Sequence, residues 1–126
     1  MLNKLLTVCL LVVGIINFLP VIGALGIKNL ESTYQVNIGS NDLLLLMQHR
    51  AILFGILGSF ILASCIFPLY QPAAMLMAAI SMLSYVALLH TLGITNHALL
   101  KVLYIDYVGI FFLILAVLIK YVFIRN

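Results

Sequence analysis

Long apolar runs separated by short polar stretches dominate the pattern of the chain. Four runs reach the length of about 20 residues that a membrane-spanning helix needs: 5–25, 43–67, 72–89 and 99–123. Between them lie the polar stretch 28–42, a turn bracketed by Pro68 and Pro72, and a break at Gly93 and Asn96. Because backbone groups in lipid must be hydrogen-bonded within the protein, each run predicts a helix rather than a strand.

The connections between these runs are short, so consecutive helices should lie antiparallel. The sequence therefore predicts an all-α fold, a transmembrane antiparallel four-helix bundle, with residues 1–126 forming a single integral membrane domain. Composition supports a membrane location, because the chain is 66% hydrophobic and only 7% charged. A soluble domain would be about a quarter charged.

The basic residues indicate topology rather than nucleic-acid binding, because they are scattered and form no basic stripe. Lys4, Lys120 and Arg125 lie on the side of the two termini, and Lys28 and Lys101 lie on the opposite side, where the acidic residues gather. Cytoplasmic loops carry an excess of Lys and Arg. Both termini are therefore predicted to be cytoplasmic, with a margin of about one charge.

Two charged residues, Arg50 and Asp106, lie inside predicted spans. A charge in the bilayer costs from about 2.5 to over 10 kcal/mol, so it normally pairs, faces protein or has a function. With a rise of about 1.5 Å per residue, both lie roughly 10 Å below the outer ends of their helices. Opposite charges at one depth predict an ion pair that holds the second and fourth helices together.

Other polar residues cluster in the same outer half of the predicted bundle, whereas the inner half holds little that is polar apart from Ser64 and Thr7. This asymmetry predicts an outward-facing polar pocket. The candidate ligand-binding residues are Arg50, Asp106, His49, Gln48, His97, Lys101, Tyr104 and Asn17.

Three functions are compatible with this pattern. The first is a non-enzymatic membrane protein in which the Arg50–Asp106 pair is structural. The second is binding or transport of a small anionic amphiphile or a lipid, because a guanidinium is suited to carboxylate or phosphate. The third is an enzyme, which has the least support because no nucleophile–base pair or nucleotide-binding loop is recognisable. No catalytic residue and no cofactor are predicted.

A metal site is not predicted either. His49, His90 and His97 come from different helices, and no Cys or carboxylate lies at the short spacing that marks a dedicated site. Cys9 and Cys65 lie in apolar runs without paired thiols, which is typical of small buried hydrophobic residues.

Small residues recur at helix-packing spacing. The second span has Ala51, Gly55, Ser59 and Ala63 at four-residue steps, and the third has Ala74, Ala78 and Ser81. Such rows let helix backbones approach closely. They favour packing within the bundle, and a homo-oligomer formed through these faces is the alternative.

Residues 46–58 (LMQHRAILFGILG), together with 18–20 (FLP) and 23–26 (GALG), resemble a family of small bacterial four-span membrane proteins. Asp106 falls where that family carries an acidic residue in its last helix. The family is broadly similar to the DUF4345 and DoxX-like four-helix membrane proteins. The resemblance implies a multi-pass protein of the bacterial inner membrane. Where the family often has Met-Arg-His-Arg, this chain has Met-Gln-His-Arg at 47–50.

Members of this group often carry the label phosphopantetheine adenylyltransferase. That label implies a parallel α/β nucleotidyltransferase with a short HxGH phosphate motif. This sequence predicts no strand and has no HxGH motif, and residues 93–97 (GITNH) echo one only superficially. The residues therefore disfavour adenylyltransferase activity.

Overall fold

The computed structural model describes residues 1–26, 31, 34 and 36–124. This part of the chain contains four long helices and no strand: α1 (Leu2–Phe18), α2 (Asn41–Ser64), α3 (Gln71–Leu92) and α4 (His97–Leu118). Short helical segments extend them: a 3-10 segment Leu19–Leu25 after α1, a 3-10 turn Pro68–Tyr70 before α3 and a π-helical turn Ile119–Phe123 after α4. The predicted all-α four-helix architecture is confirmed.

Each helix, with its extension, is long and apolar enough to cross a membrane. The candidate spans are Leu2–Ile22, Asn41–Ser64, Pro68–Leu92 and His97–Phe123. Large apolar side chains cover their outward faces; Leu45 is 67% exposed and Leu76 is 63% exposed. A surface of this kind is suited to lipid rather than to water, so the helices form a multi-pass membrane bundle.

Local sequence signals set the helix ends. The Ser40 hydroxyl accepts a hydrogen bond from the Leu43 N–H at 3.2 Å, and the Asn96 side chain accepts from the N–H groups of Ala98 and Leu99. Both residues are N-caps that satisfy donors at the start of a helix. Gly93 ends α3 in the left-handed conformation, with φ of 66°, as a glycine C-cap does. The predicted break at Gly93 and Asn96 is therefore confirmed, whereas residues 28–30, 32, 33 and 35 of the predicted polar stretch 28–42 lie outside the described residues.

The first helix contacts both α2 and α4, and α3 packs against α2 and α4. Leu10, Val13 and Ile61 are completely buried at the centre. The backbones of α1 and α2 approach closely, because a Cβ atom at Gly58 would lie 2.6 Å from the Cα of Phe18. Glycine at this position is thus required by the contact between the helices.

The predicted rows of small residues lie mainly inside the bundle, with one correction. Ala74 and Ala78 are completely buried, and Ala51 and Gly55 are buried as well. Ser59, however, is exposed, and Gly58 continues the buried row instead. Alternating steps of four and three residues follow the 3.6-residue period of a helix, whereas repeated four-residue steps drift around it.

Different residues meet at the two ends of the bundle. The terminal end holds the start of α1 and the end of α4, and the loop end holds the starts of α2 and α4. At the terminal end, Cys65 contacts the Thr7 carbonyl, and Lys120 contacts Gln71. At the opposite, loop end, the Asn96 side chain donates to the Tyr34 carbonyl at 3.0 Å. Lys28 and Arg125, on which the predicted orientation partly rests, lie outside the described residues. The orientation therefore stays a prediction.

Candidate functional site

A cavity of about 280 Å³ lies at the loop end and is lined by residues from all four helices. Most of its lining is apolar. The polar residues that line it are Asn17, Tyr34, Arg50, Tyr85 and Asp106. An apolar cavity with a few convergent polar groups is the usual form of a small-molecule site.

Aromatic side chains hold the Arg50 guanidinium in place. Its carbon lies 4.8 Å from the ring centroid of Phe54 and 5.6 Å from that of Tyr34. The Arg50 Nη1 also donates to the Tyr34 hydroxyl at 3.5 Å. A cation over an aromatic face gains from about 0.5 to 2 kcal/mol, increasing as the site is desolvated. The rings therefore stabilise the charge without neutralising it.

Asp106 lines the same cavity from α4, and its charge interacts with that of Arg50 across it. The predicted direct ion pair is nevertheless wrong in its geometry, because the direct contacts of the guanidinium are with Tyr34 and Phe54 and not with Asp106. Within the described residues, the Asp106 carboxylate makes no hydrogen bond. The two charged residues nevertheless line the same cavity, one from α2 and one from α4.

Asn17 and Tyr85 connect helices around the cavity. The buried Asn17 amide donates to the Val13 carbonyl at 2.9 Å and accepts from the Ser81 hydroxyl at 3.2 Å, which joins α1 to α3. The Tyr85 hydroxyl donates to the Leu99 carbonyl at 2.9 Å, which joins α3 to α4. These bonds fix the cavity walls.

The other predicted site residues lie outside this cavity. His49 is exposed on α2 and lines a second, shallower depression, which Arg50 also lines. Gln48 is half-buried but does not line the cavity. The α4 residues His97, Lys101 and Tyr104 are exposed.

Helical phase explains the misplaced α4 residues. Val102 and Asp106, four residues apart, share the face that lines the cavity. Tyr104 points away and is 63% exposed, with its ring against that of Tyr107 at 6.4 Å. Sequence position alone had grouped these residues by depth and not by direction.

Tyr34, Phe54 and Tyr85 line the cavity and were missed from the sequence. For Phe54 a signal existed, since it follows Arg50 by four residues and so lies on the same helical face. Tyr34 is helical in the structure, but it lies in the polar stretch 28–42, for which the sequence predicts no helix. Tyr85 looked like an ordinary residue of an apolar span.

The terminal end is more polar than predicted. The Lys120 ammonium donates to the Gln71 side-chain oxygen at 2.9 Å, and the Gln71 amide donates to the Ser64 carbonyl at 3.3 Å. Gln71 is only 4% exposed. The expectation of an almost apolar inner half is therefore wrong, because a glutamine next to a proline and a lysine near the chain end both looked like boundary residues.

Both cysteines are near the terminal end and both are thiols. Cys9 is buried in the core, and Cys65 is half-buried, with its sulfur 3.9 Å from the Thr7 carbonyl. Burial raises the pKa of the Cys65 thiol. In the described part of the chain, no group of three His, Cys, Asp or Glu side chains is arranged to hold a metal ion.

Comparisons with models of protein families, with curated proteins and with solved structures find no match to this chain.

Proposed function

We propose that this multi-pass membrane protein binds a small anionic amphiphile, with Arg50 as the anion-binding residue in the loop-end cavity. The observation that carries the proposal is a guanidinium held against two aromatic rings in a mainly apolar cavity, without contact to a carboxylate. Such a charge is positioned by the protein and left available to an anion.

The chemistry of the guanidinium favours a carboxylate or a phosphate. Arginine has N–H donors arranged as a rigid fork that matches two oxygens of such an anion. Within the described residues, Arg50 uses its donors for one hydrogen bond, to Tyr34. Further donors remain for a bidentate contact, which is shorter and stronger than a neutral hydrogen bond.

The cavity rim favours an amphiphile over a water-soluble anion. Leu19, Ile22 and Ile105 line the cavity and are each about half exposed, at 49%, 50% and 45%. All three belong to candidate membrane spans. The 3-10 segment and α4 thus both place half-exposed apolar side chains at the cavity, so the cavity lining continues into the apolar surface of the bundle there. An alkyl chain could lie along this apolar rim in the lipid.

The size of the cavity limits what enters it. Ligand pockets usually measure about 300–1,000 Å³, and the cavity volume of about 280 Å³ is just below that range. A head group fits this space, with its tail outside. Binding is also favoured over transport, because Leu10, Val13 and Ile61 are fully buried between the cavity and the terminal end.

A structural role for the two charges is the second candidate. The attraction between Arg50 and Asp106 across the cavity favours it, since it draws α2 towards α4. The two roles differ in what the loss of Arg50 changes: ligand affinity in the first, and the free energy of unfolding in the second.

Decyl phosphate is a suitable probe, added to purified protein in a non-ionic detergent while its thermal stability is recorded. We expect stabilisation of the wild type that saturates with decyl phosphate and is absent in Arg50→Gln. Lys101→Gln removes a positive charge from the same end outside the cavity, and this control should keep the effect. Equal stabilisation of wild type and Arg50→Gln would contradict the proposal.

A further inference from the structure

The geometry points to a zwitterionic head group for the ligand: Arg50 binds its phosphate, and Asp106 binds a primary ammonium group on the same head. This inference rests on the proposed function, since it concerns the same cavity. It is distinct in that it assigns a role to Asp106 and excludes a purely anionic ligand as the best occupant.

The position of Asp106 is the first observation. Its carboxylate faces a mainly apolar cavity and makes no hydrogen bond within the described part of the chain. An ionised group without a partner is costly at membrane depth. A purely anionic head on Arg50 would add a second negative charge to the same small cavity. An ammonium group would instead give Asp106 a charge-assisted hydrogen bond.

The separation of the two charges is the second observation. Arg50 belongs to α2 and Asp106 to α4, and the guanidinium lies against the Phe54 and Tyr34 rings and makes no direct contact with the carboxylate. Both residues line one cavity of about 280 Å³. A head group with opposite charges a few bonds apart can bridge the two walls.

The carboxylate of Asp106 decides between two kinds of ammonium. Quaternary ammonium groups are recognised by open aromatic faces. Here the Arg50 guanidinium already lies over one face of the Phe54 ring and one face of the Tyr34 ring. Asp106 offers carboxylate oxygens, which need an N–H donor, and a trimethylammonium group has none. The site is therefore suited to phosphoethanolamine rather than to phosphocholine.

Phosphoethanolamine could come from a lipid head group or from the free soluble compound. The half-exposed apolar residues of the lining, Leu19, Ile22 and Ile105, favour the lipid because they belong to candidate membrane spans. The alkyl chain then adds contacts that the free head group cannot make.

The test compares four probes by isothermal titration of the purified wild-type protein: decyl phosphoethanolamine, decyl phosphate, decyl phosphocholine and free phosphoethanolamine. We expect decyl phosphoethanolamine to bind at least tenfold more tightly than each of the other three. Equal affinity for decyl phosphate and decyl phosphoethanolamine would overturn the zwitterion inference and leave the proposed function intact. Equal affinity for free phosphoethanolamine would overturn the lipid source.

Substitutions test whether Asp106 causes the preference for decyl phosphoethanolamine. Asp106→Asn should lose the preference for decyl phosphoethanolamine over decyl phosphate while it still binds decyl phosphate. Asp42→Asn removes an exposed acidic residue from the start of α2, so this control should keep the preference. An unchanged preference in Asp106→Asn would overturn the inference. Binding of no alkyl probe by the wild type would instead contradict the proposed function itself.

Discussion

The loop end and the terminal end of the bundle each place polar groups in apolar surroundings, but the two ends differ in how those groups are hydrogen-bonded. At the terminal end, Lys120, Gln71 and Ser64 form a chain of hydrogen bonds within the protein. At the loop end, the Arg50 guanidinium stacks on aromatic rings, and Asp106 faces it across open space. The first arrangement is closed, and the second leaves donors and acceptors unused.

This difference distinguishes polar groups that stabilise the fold from polar groups that are available to bind a ligand. A buried polar group is costly unless it is hydrogen-bonded, so the chain through Gln71 satisfies its own members and stabilises the fold. Within the described residues, Arg50 and Asp106 at the loop end keep unmet hydrogen-bonding capacity in a cavity with half-exposed apolar residues in its lining. Both ends would look alike if only the number of polar residues were considered.

The largest expected effect concerns the contact that positions the loop end. Gly58→Ala would place a Cβ atom 2.6 Å from the Phe18 backbone, and Phe18 leads directly into the 3-10 segment that forms the cavity wall. Overpacking typically costs about 1–3 kcal/mol, and we expect a loss near 3 kcal/mol because backbone must move. Unfolding in detergent mixtures measures it.

The matched control is Gly39→Ala, where a Cβ atom meets nothing within 4 Å. This variant should remain within about 0.5 kcal/mol of the wild type. Gly58→Ala should also weaken binding of decyl phosphate, since α1 moves at the cavity. A Gly58→Ala protein as stable as the control would show that the two helices are less closely packed than described.

The next largest loss of stability is expected when the hydrogen bonds of the terminal end are removed. Gln71→Leu removes the acceptor of Lys120 and leaves its ammonium without a partner, which should cost about 2 kcal/mol because hydrogen bonds to charged groups are the stronger ones. Chemical unfolding measures the loss. Adding Lys120→Met should recover part of it, since the unpaired charge is then gone. Purely additive losses in the double variant would mean that the two side chains do not interact.

The helices and their ends could be predicted from the sequence because their signals are local. Apolar run length identifies the spans, and Ser40, Gly93 and Asn96 act within a few residues of themselves. The joint location of Arg50 and Asp106 followed from helix rise alone, since depth along a helix needs no knowledge of its neighbours.

The directions in which the side chains point, and the residues that they contact, could not be predicted in the same way. Tyr34 contacts Arg50 from the segment between α1 and α2, and Gln71 contacts Lys120 from a distant part of the chain. Both contacts depend on how the helices are rotated against one another, and a single sequence of mainly apolar spans leaves that rotation weakly specified. The Arg50–Asp106 ion pair was predicted from depth, whereas the guanidinium contacts the Phe54 and Tyr34 rings instead.

A smaller effect on stability separates the two proposed roles of Arg50. Arg50→Met keeps an apolar stem beside Phe54 and loses the cation–π contacts, so we expect a loss of about 1 kcal/mol. Breaking a buried ion pair would cost about 3–5 kcal/mol. Unfolding of Arg50→Met in lipid-free detergent distinguishes these values, and a loss in the higher range would make Arg50 structural.

The smallest effect is expected for Asp106→Asn. The variant loses the attraction to Arg50 across the cavity and also loses the cost of an unpartnered charge in apolar surroundings, and these two changes oppose each other. We expect the free energy of unfolding to change by no more than about 0.5 kcal/mol. Asp42→Asn removes the same charge from the exposed first turn of α2, where an acidic residue favours the helix by about 0.3–1 kcal/mol. A loss of several kcal/mol for Asp106→Asn, well above that of Asp42→Asn, would place Asp106 with Gln71 among the groups that hold the bundle together. A change near zero, combined with a lost preference for phosphoethanolamine, would keep the loop end as the binding end.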